Sequence, residues 1–443
     1  MTSSEVLQFD ALVLGGGIAG LQVALDLADQ DFEVAVVERD ASIGGNMIRL
    51  SKVFPTLDCA SCITTPKMAA SAHHKNITLF TYCELDSVVK KGNRVTASVT
   101  QKPRYVDETK CTGCRECEYA CPSFVSDHEQ GGFSARKAIY VPFSNALPQK
   151  ALIDPESCYL CGSADVAGQC EKVCPTGAIN HYQQPEQRII VANALVLSTG
   201  YRLMEDYPKK AYGAVAQSPN VITSLQMERL LAPHGPYQRM LRPSDGKEPE
   251  SVAFIQCAGS RDLSLGVPYC SRVCCMYAIK QAMLVSGALP LADITIYYMD
   301  IRAFGKNFEQ FYQNARAMGV EFVKAKPVIV GEGEDGGVLV RYEDQEGGGG
   351  GVTREHDLVS VSLAMVPAWN PAGVCNASVA GDGFIKSVNP KLSPVLTDME
   401  GVFTAGVAAG PKDIVDTIVE AGAAAMEIAN HLHKMAQSER VAA

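Results

Sequence analysis

Short apolar runs that end at glycine stand near both ends of the chain, with helical stripes after them. Asp10–Leu14 (D-A-L-V-L) runs apolar into Gly15, the pattern of a buried parallel strand. Leu21–Ala28 carries a helical spacing, and Val34–Val37 reads as a second strand ending at Glu38. Far downstream, Ala192–Gly200 (A-N-A-L-V-L-S-T-G) predicts a strand running into a Thr199-Gly200 turn. Gly401–Gly406 (G-V-F-T-A-G) predicts another strand, followed by a helix from about Pro411. Between them, Ser251–Gln256 and Ile294–Met299 predict two strands of a second strand–turn–helix unit. Strands alternating with helices in this way predict an α/β fold with parallel sheets.

The turn after the first strand is Gly15-Gly16-Gly17-Ile18-Ala19-Gly20, a G-x-G-x-x-G. Gly15 permits a tight turn, Gly17 lets backbone approach a pyrophosphate, and Gly20 allows close helix–strand packing. The helix N-terminus offers free amides to the phosphates. Glu38, eighteen residues after Gly20, is placed to accept from ribose hydroxyls and would repel a 2′-phosphate. Three later signals favour FAD over NAD. Gly44-Gly45 resembles the second glycine signal of two-dinucleotide flavoproteins, Thr199-Gly200 their T-G turn, and Gly401–Gly406 the strand that closes their FAD site. That last motif usually continues with Asp, but Val407 follows Gly406 here. The missing contact is expected from amides near Pro411, Lys412 and Asp413.

Sixteen cysteines change the picture. Cys111, Cys114, Cys117 and Cys121-Pro122 follow the bacterial ferredoxin spacing without deviation. Cys158, Cys161, Cys170 and Cys174-Pro175 repeat it with the second gap widened by Gly162–Gln169. Two runs ending C-x3-C-P fit two [4Fe–4S] clusters and not zinc. The fourth cysteine of each run ligates the other run's cluster in such modules, so one set is Cys111, Cys114, Cys117 and Cys174. The other is Cys158, Cys161, Cys170 and Cys121. In the second strand–turn–helix unit, where a nicotinamide would bind, no G-x-G-x-x-G exists. Cys257, Cys270, Cys274 and Cys275 stand there instead, as a third cluster or as buried thiols. Cys59-x2-Cys62 is read as structural or auxiliary, with a redox-active dithiol as the competing reading. Cys83 and Cys375 read as small buried residues, His73-His74 as helix surface, and Gly347–Gly351 as a loop tip between strands.

Composition sets outer limits. The net charge of -10 argues against nucleic acid as a partner. No apolar stretch reaches the roughly 20 residues that span a bilayer: Val402–Ala429 is broken by Lys412, Asp413, Asp416 and Glu420. The first residues show no export signal, and the cysteine spacings belong to metal sites, so a reducing cytoplasmic compartment is expected.

The chain resembles the flavin-binding A-type subunits of heterodisulfide reductase and their bacterial homologues. The matching strings are Phe54–Cys62 (F-P-T-L-D-C-A-S-C), Lys102–Asp107 (K-P-R-Y-V-D), Pro268–Lys280 (P-Y-C-S-R-V-C-C-M-Y-A-I-K) and Gly410–Ile414 (G-P-K-D-I). The resemblance implies a thioredoxin-reductase-like, two-dinucleotide-binding flavoprotein fold with an inserted two-cluster ferredoxin module. It also implies a third [4Fe–4S] cluster on Cys257, Cys270, Cys274 and Cys275, and Lys280 close to the isoalloxazine. The competing reading of Lys280 is a solvated helix lysine. The expected segments are an FAD-binding domain in three parts (1–103, 188–250, 376–443), the insert (104–187) and a second dinucleotide-type domain with a degenerate nicotinamide site (251–375). The expected function is electron transfer between flavin, clusters and partner subunits of a heterodisulfide-reductase-like or quinone-interacting complex, with a homodimer left open. The alternative is an NAD(P)H-dependent reductase resembling the small subunit of glutamate synthase. Longer family members carry further segments at both ends, and the resemblance does not decide bifurcation for this sequence.

Overall fold

The computed structural model describes residues 6–159, 168–213, 217–344 and 349–442. Strand β1 (Val6–Leu14) is wholly buried over its last four residues, because both faces are covered. The glycine turn leads into α1 (Ile18–Ala28) and β2 (Val34–Glu38). Helix α2 (Ala60–His73) then returns the chain to β3 (Ile77–Thr81). His73 is exposed and His74 sits just past the helix end. A hairpin of β4 (Cys83–Lys91) and β5 (Arg94–Gln101) follows.

Residues 102–185 leave this sheet and form a small body of their own, with helices α3 (Glu116–Ala120) and α4 (Gln169–Val173) packed together. Its core joins Val106, Ala138, Ile139, Val141, Ile153 and Ile179 with cysteines of both runs. The chain re-enters as β6 (Glu186–Leu197), whose first residues pair antiparallel with β5, Gln101 opposite Glu186. Further along, β6 pairs in parallel with β1.

From β6 the chain crosses to a second sheet built of β7 (Val221–Thr223), β8 (Ser251–Ala258), β9 (Asp293–Tyr298), β10 (Glu321–Lys324) and β11 (Leu358–Leu363). All its pairings are parallel, in the order β7-β11-β8-β9-β10. Helices α5 (Ser224–Leu231), α6 (Cys274–Ala288) and α7 (Phe308–Ala317) cover one face. A three-stranded antiparallel sheet covers the other. The loop between Glu343 and Gly351 belongs to that small sheet, with residues 345–348 outside the described set. The chain then returns to the first sheet through β12 (Val402–Thr404), parallel to β6, and ends in α8 (Ile414–Ala442). There α1 and α8 pack against each other through Ala24, Leu27, Ala421, Ala424 and Ile428. Cys83 and Cys375 are buried on the opposite face.

The insert is anchored to the rest of the chain. Arg104, 1% exposed, donates to Ala41 O and Thr81 Oγ1, both at 2.7 Å, and pairs with Glu108 at 2.9 Å. Arg49 forks onto Glu129, and Arg229 of α5 donates to Gln130 Oε1. The small body therefore touches the loop after β2 and the helix over the second sheet.

Candidate functional site

The glycine turn is closed by contacts that exclude side chains. Gly15 has φ 106°, and a Cβ there would lie 2.5 Å from Ser198 O. A Cβ on Gly20 would fall 1.9 Å from Gly15 O, so α1 can approach the turn only through glycine. Gly17 and Gly45 face each other, and Gly44 N–H donates to Gly16 O at 2.8 Å. Thr199 and Gly200 lie half-buried beyond β6. Gly406 follows β12, where a Cβ would meet Ala19. One groove thus gathers Gly15, Gly17, Gly20, Gly45, Thr199, Gly200 and Gly406.

Glu38 has a duty that spacing did not disclose. One carboxylate oxygen accepts Gly16 N–H at 2.6 Å and the other Asp40 N–H at 2.8 Å. Burial, then Asp40, pushes its carboxyl up to about 7. Each oxygen keeps a lone pair for a ribose hydroxyl. At the far end, Glu420 accepts Gly406 N–H at 3.0 Å and holds Lys412 at 2.6 Å. The pair thus stands beside Gly406, next to Val407 where related motifs carry Asp.

In the insert, Cys111, Cys114, Cys117 and Cys174 line one small cavity of about 20 Å³. Ala178 N–H donates to Cys174 Sγ at 3.3 Å, as amides do to cluster sulfurs. Cys170 faces Cys158 and Cys121. Cys161, the fourth member expected of that set, lies outside the described residues, as do residues 160–167 of the widened gap. Thiolate sets with apolar walls and amide donors fit [4Fe–4S] clusters.

The third set converges from three places. Cys257, next to last in β8, takes a left-handed conformation (φ 58°), Cys270 lies on the following loop, and Cys274 and Cys275 open α6. The Cys274 thiol faces the other three. Polar contact with Cys274 pulls Cys257 down to about 7 and Cys270 down to about 6, with Arg261 adding to both. The buried Cys274 thiol is pushed well up by the same contacts. Arg272 N–H donates to Cys270 Sγ at 3.3 Å. Four free thiols, two drawn toward thiolate among arginines, fit a further cluster. Among the described residues no three ligand-type side chains close on a point that would seat a single ion.

Lys280 is not a solvated helix lysine. It lies two turns along α6, 2% exposed, donating to Lys52 O at 2.8 Å and to Glu228 of α5. Glu228, equally buried, also accepts Ser51 N–H at 3.0 Å, Ser51 O–H at 2.6 Å and Gln281 Nε2 at 2.5 Å. Ser51 follows the Gly45–Arg49 turn, so Glu228 ties the ion pair to the segment that leaves Gly44-Gly45. Nearby, Asn46 donates to Tyr201 O at 3.2 Å. Sequence reading missed Glu228. Its signal was a charge on the stripe of Ser224, Met227 and Leu231, the face of a short amphipathic helix expected to be buried.

Comparison with known proteins agrees with this anatomy. A 4Fe-4S dicluster domain matches residues 110–178, and an NAD(P)-binding Rossmann-like domain matches residues 13–60. The thioredoxin reductases of T. acidophilum and Lactococcus lactis superpose with TM-scores of 0.54 and 0.52 at 14% and 12% identity. They cover 97% and 96% of this chain, each over 99% of its own length, which establishes a thioredoxin-reductase-like fold with a ferredoxin insert. The A-type subunit of the H(2):CoB-CoM heterodisulfide,ferredoxin reductase of Methanothermobacter marburgensis is 43% identical over 425 residues. The corresponding iron-sulfur subunit of the CoB–CoM heterodisulfide reductase of Methanocaldococcus jannaschii is 44% identical over 423 residues. These alignments take in 95% and 94% of this chain, which spans 63% of the length of each relative. Over nearly its whole length, then, the chain is similar to the A-type subunits of heterodisulfide reductases.

Proposed function

We propose that the chain is an electron-transfer oxidoreductase subunit that holds one FAD and three [4Fe–4S] clusters. It would pass electrons to and from partner subunits of a heterodisulfide-reductase-like or quinone-interacting complex. The observation that carries this reading is α6. Its first turn bears Cys274 and Cys275, and two turns later the same helix bears Lys280, bonded to Lys52 O and paired with Glu228, which holds Ser51 just after the Gly45–Arg49 turn. One helix therefore links a four-thiol set to the segment that leaves the second glycine turn.

Bound in the groove, FAD supplies a centre that exchanges electrons in pairs on one side and singly on the other. Its pyrophosphate would lie against Gly15–Gly20, and Glu38 would accept from its ribose. Lys280 is buried and already paired with Glu228, and through Lys52 O it would hold in place the segment after the glycine turns. The thiols of Cys111, Cys114, Cys117 and Cys174 would hold one cluster and those of Cys121, Cys158, Cys161 and Cys170 the second. Cys257, Cys270, Cys274 and Cys275 would hold the third. No helix among the described residues is long and apolar enough to cross a membrane, so a membrane would be reached through partners. The β8–α6 turn carries cysteines where a nicotinamide-binding turn needs glycines, which counts against the reductase alternative.

Anaerobic iron and flavin quantitation tests the proposal, with NADH and NADPH titration followed at the flavin band. About twelve irons with one FAD, and no bleaching by either nucleotide, are expected. In Cys274→Ser, iron falls to about eight while flavin is retained. Eight irons in the unaltered chain would remove the third cluster, and rapid bleaching would favour the nicotinamide-dependent reductase.

A further inference from the structure

The two ferredoxin-type sets draw hydrogen-bond donors from one segment of chain. It leaves Cys174-Pro175, turns, and ends at His181. Ala178 N–H donates to Cys174 Sγ at 3.3 Å, which serves the set of Cys111, Cys114, Cys117 and Cys174. Three residues later, His181 Nε2 lies 3.8 Å from Sγ of Cys170, a member of the other set. The first donor is a backbone amide, present for any residue but proline. The second is a side chain and depends on histidine.

The imidazole is carried on a segment that main-chain bonds fix. Ala178 O accepts Asp107 N–H at 2.7 Å, Ile179 bridges antiparallel to Val106, and Asn180 N–H donates to Tyr105 O at 2.9 Å. Ile179, 9% exposed, lies in the same core cluster as Cys170. Just past the histidine, Tyr182 N–H donates to Asn180 Oδ1 at 3.1 Å. Cys170 itself sits in α4, 8% exposed. A donor carried on so constrained a backbone can be aimed at one sulfur, as groups behind metal ligands are.

A thiolate that ligates iron carries more negative charge once its cluster has taken an electron. An N–H aimed at that sulfur is favoured more in the reduced form, so it raises the reduction potential. Low dielectric around a buried sulfur enlarges the difference. With a proton on Nε2, the ring is a donor toward Cys170 Sγ. We propose that His181 donates to Cys170 Sγ and thereby raises the potential of the cluster held by Cys121, Cys158, Cys161 and Cys170. The cluster takes one electron, and the imidazole keeps its own proton throughout. The electron is then held more tightly there than the thiolates alone would hold it. This role rests on the electron-transfer reading given above.

The test is a redox titration of the full cofactor-loaded chain, followed anaerobically by electron paramagnetic resonance, in His181→Leu and His181→Gln. Leucine removes the donor, and glutamine returns an N–H to about the place of Nε2. In His181→Leu one midpoint should become more negative. The reduced-to-oxidised ratio at the parent midpoint should fall about tenfold, a shift of about 59 mV. In His181→Gln that midpoint should stay closer to the parent's than to the leucine variant's. The other midpoints, and the iron and flavin contents, should be unchanged in both. Unmoved midpoints in His181→Leu, or equal shifts in the two variants, would overturn the proposal. So would loss of about four irons, which would make His181 a ligand or a structural support. Iron content of the unaltered chain keeps the two readings apart. Fewer than about eight irons would sink the electron-transfer reading, whereas full iron with unmoved midpoints would sink the role of His181 alone.

Discussion

The Lys280–Glu228 pair sets up an unequal response to substitution. Both side chains are 2% exposed, but their surroundings differ. Glu228 has Ser51 N–H, Ser51 O–H and Gln281 Nε2 in addition to the ammonium. Among the described residues, Lys280 has Lys52 O alone besides the carboxylate. Glu228→Gln leaves an ammonium buried against two neutral oxygens, Lys52 O and the new amide oxygen, and burial already holds the lysine below its ordinary value of 10.5. The uncompensated charge should cost about 3–5 kcal/mol. Lys280→Met removes the cation but leaves the carboxylate three donors, and about 1–3 kcal/mol should be lost. The double variant buries no charge and should recover to within about 2 kcal/mol of the parent. Native-state hydrogen exchange of β8 and β11 amides reads the opening free energy of the sheet that α5 and α6 cover. Equal losses in the two single variants, or strict additivity in the double, would refute this account of the pair.

The remaining expectations concern the cradle and the insert. Gly20→Ala drives a Cβ to 1.9 Å from Gly15 O, so FAD binding should weaken by at least about tenfold, about 1.4 kcal/mol, in a fluorescence titration of the apoprotein. Glu38, raised to about 7, keeps its proton in the folded apoprotein where an unfolded chain has lost it. It therefore stabilises the apoprotein at low pH, and up to about 3 kcal/mol is lost as pH rises from about 4.5 through 7. Ribose donors favour the carboxylate, so FAD binding should release a proton near pH 6. Calorimetry in buffers of different ionisation enthalpy detects that proton, and Glu38→Gln should abolish it. Arg104→Leu leaves Glu108 without its buried partner and should cost about 3 kcal/mol, measured as faster proteolysis of the insert in the cofactor-loaded chain.

Local chemistry explains what could be read from the sequence. Backbone turns announce themselves through residues that no other type can replace, so Gly15, Gly20 and the strands around them were legible. Thiolate spacing is equally local, which is why the ferredoxin runs could be assigned from C-x2-C and C-x3-C-P. The Cys257–Cys275 group was not decided by spacing, because its convergence depends on a left-handed residue at Cys257 and on where α6 begins. Glu38 was given a ribose and has in addition the amides of Gly16 and Asp40. Glu228 and Lys280 are 52 residues apart on different helices, and no local pattern links them. The docking of Arg49 on Glu129 and of Arg229 on Gln130 is long-range for the same reason.

The insert departs after Gln101 and returns at Glu186, and these two residues are cross-strand partners. Its two ends are therefore the tip of a hairpin that the flavin sheet would make without it. Closing so long an excursion adds little entropy cost beyond that of a short turn, since loop closure grows only with the logarithm of length. The strand pair works as a socket: whatever is plugged between its two contacts, the sheet behind it keeps the same register. Wiring on the cluster side can be lengthened, shortened or exchanged among relatives while the nucleotide groove stays as it is.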